Sequence, residues 1–166
     1  MASHFDAITD KQAELLRNAK VFFVASADPS GAKGPHGIGS INVSPKGGVP
    51  LLLISDRKVA WLDYPGSGNE TARHAHAGSP VTLMACSFDG DAAIVRLYGR
   101  ATVQAFHESP YGEQLLNDER RGPNLNIRQV IVLDVESTMT SCGYGVPVME
   151  FVRHRGPDGR GRRYKE

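Results

Sequence analysis

A chain of 166 residues, 40% hydrophobic and 22% charged, is sized and composed for one globular domain with a real core, and its net charge of +1 gives no overall pull towards nucleic acid or membrane. The two cysteines, Cys86 and Cys142, have no CxxC spacing and no disulfide framework, which favours a reducing compartment. No apolar run reaches the ~20 residues of a membrane helix and the N-terminus lacks a basic-then-apolar leader, so a cytoplasmic protein with neither membrane nor nucleic-acid partner is expected.

Along the chain, Thr9 and Gln12 have capping-box spacing, and Ala13, Leu15, Leu16 and Ala19 form an apolar stripe. A helix over residues 9–19 that lids the core follows. Short apolar or alternating runs then predict strands at Val21 to Ala27, Ile38 to Ser44, Leu51 to Ser55, Val59 to Asp63, Val81 to Ser87, Ala93 to Phe106 and Gln129 to Thr138. Turn chemistry separates them at Asp28-Pro29-Ser30-Gly31, Pro45-Lys46-Gly47-Gly48 and Asp89-Gly90. In the run 94–103, Val95, Leu97, Ala101 and Val103 share one face, while Arg96, Tyr98, Arg100 and Thr102 share the other. Helical patches are expected at Asn69 to Ala77 and about Glu108 to Asp118. The pattern is mainly β, a β-barrel with a few short helices, since closure removes exposed strand edges. Residues 1–152 form the domain. Residues 153–166 carry a net charge of +4 with Gly and Pro throughout, and are expected to be a flexible basic tail.

Two segments carry candidate chemistry. Gly66-Ser67-Gly68-Asn69-Glu70-Thr71 follows a strand and opens a helix, where free N–H groups, small residues and the Ser67 and Thr71 hydroxyls suit an anion; the same residues also read as an ordinary helix cap. Asn42-Val43-Ser44-Pro45-Lys46-Gly47 offers an amide, a hydroxyl and a cation on what reads as a tight turn between two strands, or else a plain hairpin turn. His74 and His76 stand two apart on a helix and point to different faces, and no zinc spacing accompanies them, so no metal is expected. No G-x-S-x-G elbow supports hydrolase chemistry.

Three stretches in this order, residues 42–47, then Tyr64-Pro65-Gly66-Ser67-Gly68-Asn69-Glu70-Thr71, then Ser141-Cys142-Gly143-Tyr144-Gly145-Val146-Pro147, resemble the pyridoxamine 5′-phosphate oxidase-like family in its "CGYGVP" branch. Residues 81–90 and Arg96-Leu97-Tyr98-Gly99-Arg100 are similar as well, so the resemblance covers about residues 20–152. It implies an FMN-binding split barrel that works as a homodimer with flavins between the subunits. By that resemblance Ser67, Gly68, Asn69 and Thr71 surround the phosphate and ribityl end of FMN. Asn42, Val43, Ser44 and Lys46 run along the isoalloxazine, with Lys46 stabilising the anionic reduced ring. Trp61 and Asp63 come from the strand that feeds the phosphate turn, Arg96 reaches the cofactor from the partner subunit, and Cys142, Tyr144 and Pro147 form a wall near the ring. Relatives of this barrel use a deazaflavin or haem instead. The enzymes that oxidise pyridoxamine phosphate carry an Arg-Lys pair where this chain has Gly68-Asn69, and Arg153-His154-Arg155 does not reproduce their C-terminal substrate motif; vitamin B6 oxidation is not expected. The resemblance implies an FMN-dependent oxidoreductase that transfers hydride between the flavin and a small organic substrate, with a nicotinamide cofactor as a candidate reductant. A flavin- or haem-binding carrier, sensor or storage module without turnover is the alternative.

Overall fold

The structure is a computed structural model that describes residues 2–31, 40–66, 68–122 and 126–156. One antiparallel sheet of eight strands dominates it, in the order β3-β2-β6-β7-β8-β5-β4, with β1 paired to β8. The strands are β1 (Ser3–Phe5), β2 (Val21–Ala27), β3 (Ile41–Gly47), β4 (Leu52–Ser55), β5 (Lys58–Asp63), β6 (Pro80–Cys86), β7 (Ala93–Gln104) and β8 (Gln129–Cys142). The helices are α1 (Asp10–Asn18), α2 (Glu70–His76) and α3 (Gly112–Leu116), with a 3-10 turn at Phe106–Glu108. Within the described residues β3 and β4 end the path, and the barrel is split between them.

Sequence pattern dictates most of this. β2 alternates buried Phe22, Val24 and Ser26 with half-buried neighbours, as a strand with one face to the core must. α1 begins where its capping box closes: the Thr9 hydroxyl accepts from the Gln12 N–H, and the Gln12 side chain accepts from the Thr9 N–H. Gln12 then reaches the core, where its amide donates to Thr140 Oγ1 and accepts from Thr138 Oγ1, so the lid is tied to β8 by polar contacts as well as by Leu16.

Several predicted boundaries change: β8 runs past the expected Thr138 to Cys142, and β7 ends at Gln104, short of Phe106. Residues 42–47 are not a turn between strands; they are strand β3 itself, and the chain turns at Gly48, whose φ is +68°. Pro45 is tolerated because, among the described residues, β3 pairs only with β2, leaving the other edge without a ladder to donate to. The helix expected at 108–118 is a 3-10 turn followed by the five-residue α3. The predicted strand start at Ile38 lies outside the described residues. β1, only three residues long, carried no sequence signal.

β8 is apolar on both faces from Val130 to Val135, which at the sequence level suggests cover from a second subunit. The chain supplies that cover itself. Ile131 and Leu133 face the barrel interior with Trp61, while Val130 and Val132 pair with Leu62 and Ala60 on the opposite face, which the α3 region covers with Leu115, Tyr111 and Phe106. All of these β5 and β8 residues are at most 3% exposed. Among the described residues no helix is long and apolar enough to cross a membrane.

The β7–β8 register shifts between Tyr98 and Gly99, where Glu136 is skipped and β8 bends. A Cβ at Gly99 would fall on the Asp134 carbonyl, a backbone atom that cannot move aside cheaply. Gly99→Ala is expected to cost at least about 2 kcal/mol, against about 1 kcal/mol for Thr9→Ala at the helix cap, as read by urea denaturation.

Candidate functional site

Strand alternation at the split creates the site. In the β2–β3 register Asn42, Ser44 and Lys46 oppose Ser26, Val24 and Phe22, so all three side chains point to the barrel's inner face. Farther along the sheet that face is filled by core, but at β3 the sheet stops. A polar row is thereby left facing an open groove of about 400 Å³, bounded by β3, Val49, the end of β5 at Asp63 and Tyr64, and residues 66 and 68–71.

The three rungs differ. At one end the Asn42 amide donates to Thr71 Oγ1 at 3.2 Å, tying β3 to α2. At the other, Lys46 Nζ donates to Asp63 Oδ1 at 2.9 Å, with side chains 17% and 7% exposed. Asp63 is held from its other oxygen by the Gln129 amide at 2.8 Å, and the same amide reaches Asn69 Oδ1 at 2.9 Å. Between the two rungs, Ser44 Oγ is buried and has no hydrogen-bond partner among the described residues. A buried hydroxyl left unpaired costs free energy, so the middle rung is a place where a ligand's polar atom is stabilised.

The turn after β5 is held by residues distant in sequence. Arg128 Nη1 donates to the Gly68 carbonyl at 3.0 Å, and the Arg128 N–H donates to the Asp63 carbonyl at 2.9 Å. Asn69 caps α2 only by position: its side chain accepts from Gln129 and not from the helix. Behind α2, buried Ser26 Oγ and His74 Nδ1 are 2.9 Å apart, fixing the helix to β2.

Of the residues singled out by sequence, the groove brings together Asn42, Val43, Ser44, Lys46, Asp63, Gly68, Asn69 and Thr71. Ser67 lies outside the described residues. Trp61 does not line the groove; it is 0% exposed in the core, edge-on to Phe22 at 5.9 Å, and its Nε1 has no hydrogen-bond partner among the described residues. Arg96, Cys142, Tyr144 and Pro147 do not line it either. Arg96 lies on the outer face of the sheet, donating to Ser141 Oγ at 3.0 Å. Cys142 is exposed, its Sγ accepting from the Tyr144 N–H at 3.3 Å, and the Tyr144 side chain is 92% exposed. Sequence reasoning gave no role to Tyr64, Glu70, Arg128 or Gln129. Glu70 stood inside a recognised motif, whereas the last two are some 60 residues from the turn they hold and leave no local signal. In the basic C-terminal stretch, His154 packs against Gly48 and Gly122 and edge-on to Phe151; residues 157–166 lie outside the described residues.

Comparison with known proteins points one way. A family model described as pyridoxamine 5′-phosphate oxidase matches residues 8–142. The pyridoxamine 5′-phosphate oxidase family protein ustO of Aspergillus flavus is 33% identical over 156 residues, covering 91% of this chain and 58% of that protein. The chain therefore spans less than two thirds of that relative's length. Among solved structures, a candidate pyridoxamine 5′-phosphate oxidase of Lactobacillus delbrueckii superimposes with a TM-score of 0.56 at 21% identity, covering 81% of this chain and 94% of the other. An FMN-binding protein of Syntrophomonas wolfei does so with a TM-score of 0.52 at 10% identity, covering 84% of each. These structures share the mainly β split-barrel fold.

The Lys46–Asp63 pair is the most buried ion pair among the described residues, and removing one partner strands the other. Lys46→Met is expected to destabilise the fold by about 3 kcal/mol, and the double change Lys46→Met with Asp63→Leu by clearly less, measured by chemical denaturation of the three proteins.

Proposed function

The chain belongs to the pyridoxamine 5′-phosphate oxidase family, and from that premise we propose that the groove beside β3 binds FMN and that the protein is an FMN-dependent oxidoreductase for a small organic substrate. The observation that carries this reading is the unpartnered Ser44 hydroxyl between two satisfied rungs. A flavin ring edge alternates hydrogen-bond donors and acceptors, and Asn42, Ser44 and Lys46 present both kinds along one strand at the spacing of alternate residues. Bound there, FMN would supply hydride transfer at its N5.

This chain's residues do the rest. Ser44 would pair the ring edge through the hydroxyl that the fold leaves free. Asn42 would orient it with whichever amide group Thr71 does not use. Lys46 would offer a positive end whose field is moderated by Asp63 at 2.9 Å, which supports a tuning role for the lysine over that of a bare anion anchor. Gly68, Asn69 and Thr71 would flank the ribityl and phosphate end. The S. wolfei FMN-binding protein gives a precedent for FMN on this fold.

We propose further that the working unit is a homodimer. Apolar residues stand out on the outer face of β3, with Ile41 72% and Val43 63% exposed; on the same face the row that starts at Pro45 runs through half-buried Phe23 and Met84 to Met139, with Arg96 between the two methionines. An apolar patch of this kind is expected to be covered by a partner. Arg96 sits in the same row, and with Cys142, Tyr144 and Pro147 it belongs to the surface that a second copy would bring to the groove.

Titration of the protein with FMN, followed by flavin absorbance and fluorescence, tests the cofactor. Binding is expected, weakened about fivefold by Ser44→Ala through loss of one hydrogen bond; no binding by wild type would refute the reading. Reduction of the bound flavin by NADH or NADPH and its reoxidation by an added acceptor would separate turnover from simple carriage. Light scattering is expected to give a dimer that Val43→Asp converts to a monomer, because the substitution buries an unpaired charge at the proposed contact.

A further inference from the structure

We propose that Glu70 is the specificity-determining residue at the far end of the groove: its carboxylate opposes the terminal phosphate of a flavin, so that the groove holds a flavin mainly by its ring and binds the dianionic phosphate less tightly than the turn's shape permits. The inference rests on flavin binding as proposed above and concerns which form of the flavin is preferred.

The turn's geometry places the acid there. Glu70 lines the groove beside Gly68, Asn69 and Thr71. Its side chain is folded back over the turn, so that a Cβ built on Gly68 would collide with both carboxylate oxygens. With glycine at 68 the carboxylate can lie over the turn, and the space above the Gly68 Cα is taken by a negative charge. Among the described residues that carboxylate makes no hydrogen bond or ion pair.

Of the nearby cations, Lys46 is neutralised by Asp63; the Arg128 guanidinium stands at the turn and donates to the neutral Gly68 carbonyl at 3.0 Å, and Arg73 is exposed on α2. The described residues that line the groove itself carry one cation, Lys46, against two carboxylates, Asp63 and Glu70. Near neutral pH a phosphate monoester is largely dianionic, with a second pKa of about 6. Bringing it to residues 68–71 sets like charges together in a groove screened less than open water, unless Glu70 swings out. Riboflavin has the same ring and ribityl chain and no phosphate, so it does not meet this opposition.

The test is equilibrium titration of wild type, Glu70→Gln and Glu70→Lys with FMN and with riboflavin, at pH 5.5 and 7.5. Glu70→Gln keeps the side chain's shape; it is expected to tighten FMN by about fivefold or more at pH 7.5 while leaving riboflavin within about twofold, and Glu70→Lys to tighten FMN further. Wild-type affinity for FMN should rise on going to pH 5.5, as the phosphate loses a charge, and that dependence should flatten in Glu70→Gln; affinity for riboflavin should not follow it. Flavin binding in which Glu70→Gln changes neither ligand, or changes both in parallel, overturns this inference and leaves the proposed function standing. Wild type that binds neither flavin overturns both.

Discussion

Everything in the groove depends on one constraint, the two-residue alternation of β3 at the place where the sheet ends. Register with β2 forces Asn42, Ser44 and Lys46 onto the inner face, opposite residues that are themselves core. On an interior strand such a polar row would be buried without partners. At the end of the path it is half open, so the fold can retain three polar side chains there, satisfy two from α2 and β5, and leave the third free. A slip of one residue would turn Ile41, Val43 and Pro45 inward and erase both the groove and the apolar outer row at once.

The groove's charge is organised from outside the local sequence. Asp63 at the end of β5 is shared between Lys46 of β3 and Gln129 at the start of β8, and Gln129 also holds Asn69. Arg128 clamps the backbone of the following turn through Gly68. These contacts join the two sides of the split through Arg128 and the first residue of β8, where β8 pairs with the buried β5. Rigidity of the site is therefore inherited from the core and not from the short α2, whose own cap makes no side-chain hydrogen bond.

Burial and exposure divide the sheet into two regimes. Around β5 and β8 the single chain covers both faces, with the barrel interior on one side and the α3 region on the other. Around β3, β2, β6 and the first half of β7 it covers only the inner face, and the outer face is mixed: Phe23, Met84 and Tyr98 beside Arg96. The apolar surface available to a partner lies in this second regime, next to the groove. A strand that reads as doubly apolar says only that both faces are covered; it does not say by which chain.

By itself the sequence determined the local elements, because they follow from short-range chemistry. The Thr9–Gln12 cap, the strand Val21–Ala27 and the alternation through β7 all stand where period and capping put them. The candidate residues Asn42, Ser44, Lys46, Asp63, Gly68, Asn69 and Thr71 were also legible as motifs, and the groove gathers them. Tertiary structure alone decided that Pro45-Lys46-Gly47 is strand and not turn, since proline's missing N–H is tolerated only where no further strand pairs, and edge position is a property of the whole sheet. It likewise decided that Trp61 is core while Asp63, two residues along on the same face, is site, because one lies beneath Phe22 and the other emerges at the split. Arg128 and Gln129 belong to the site only because β8 pairs with β5, a contact across more than sixty residues that no local pattern encodes.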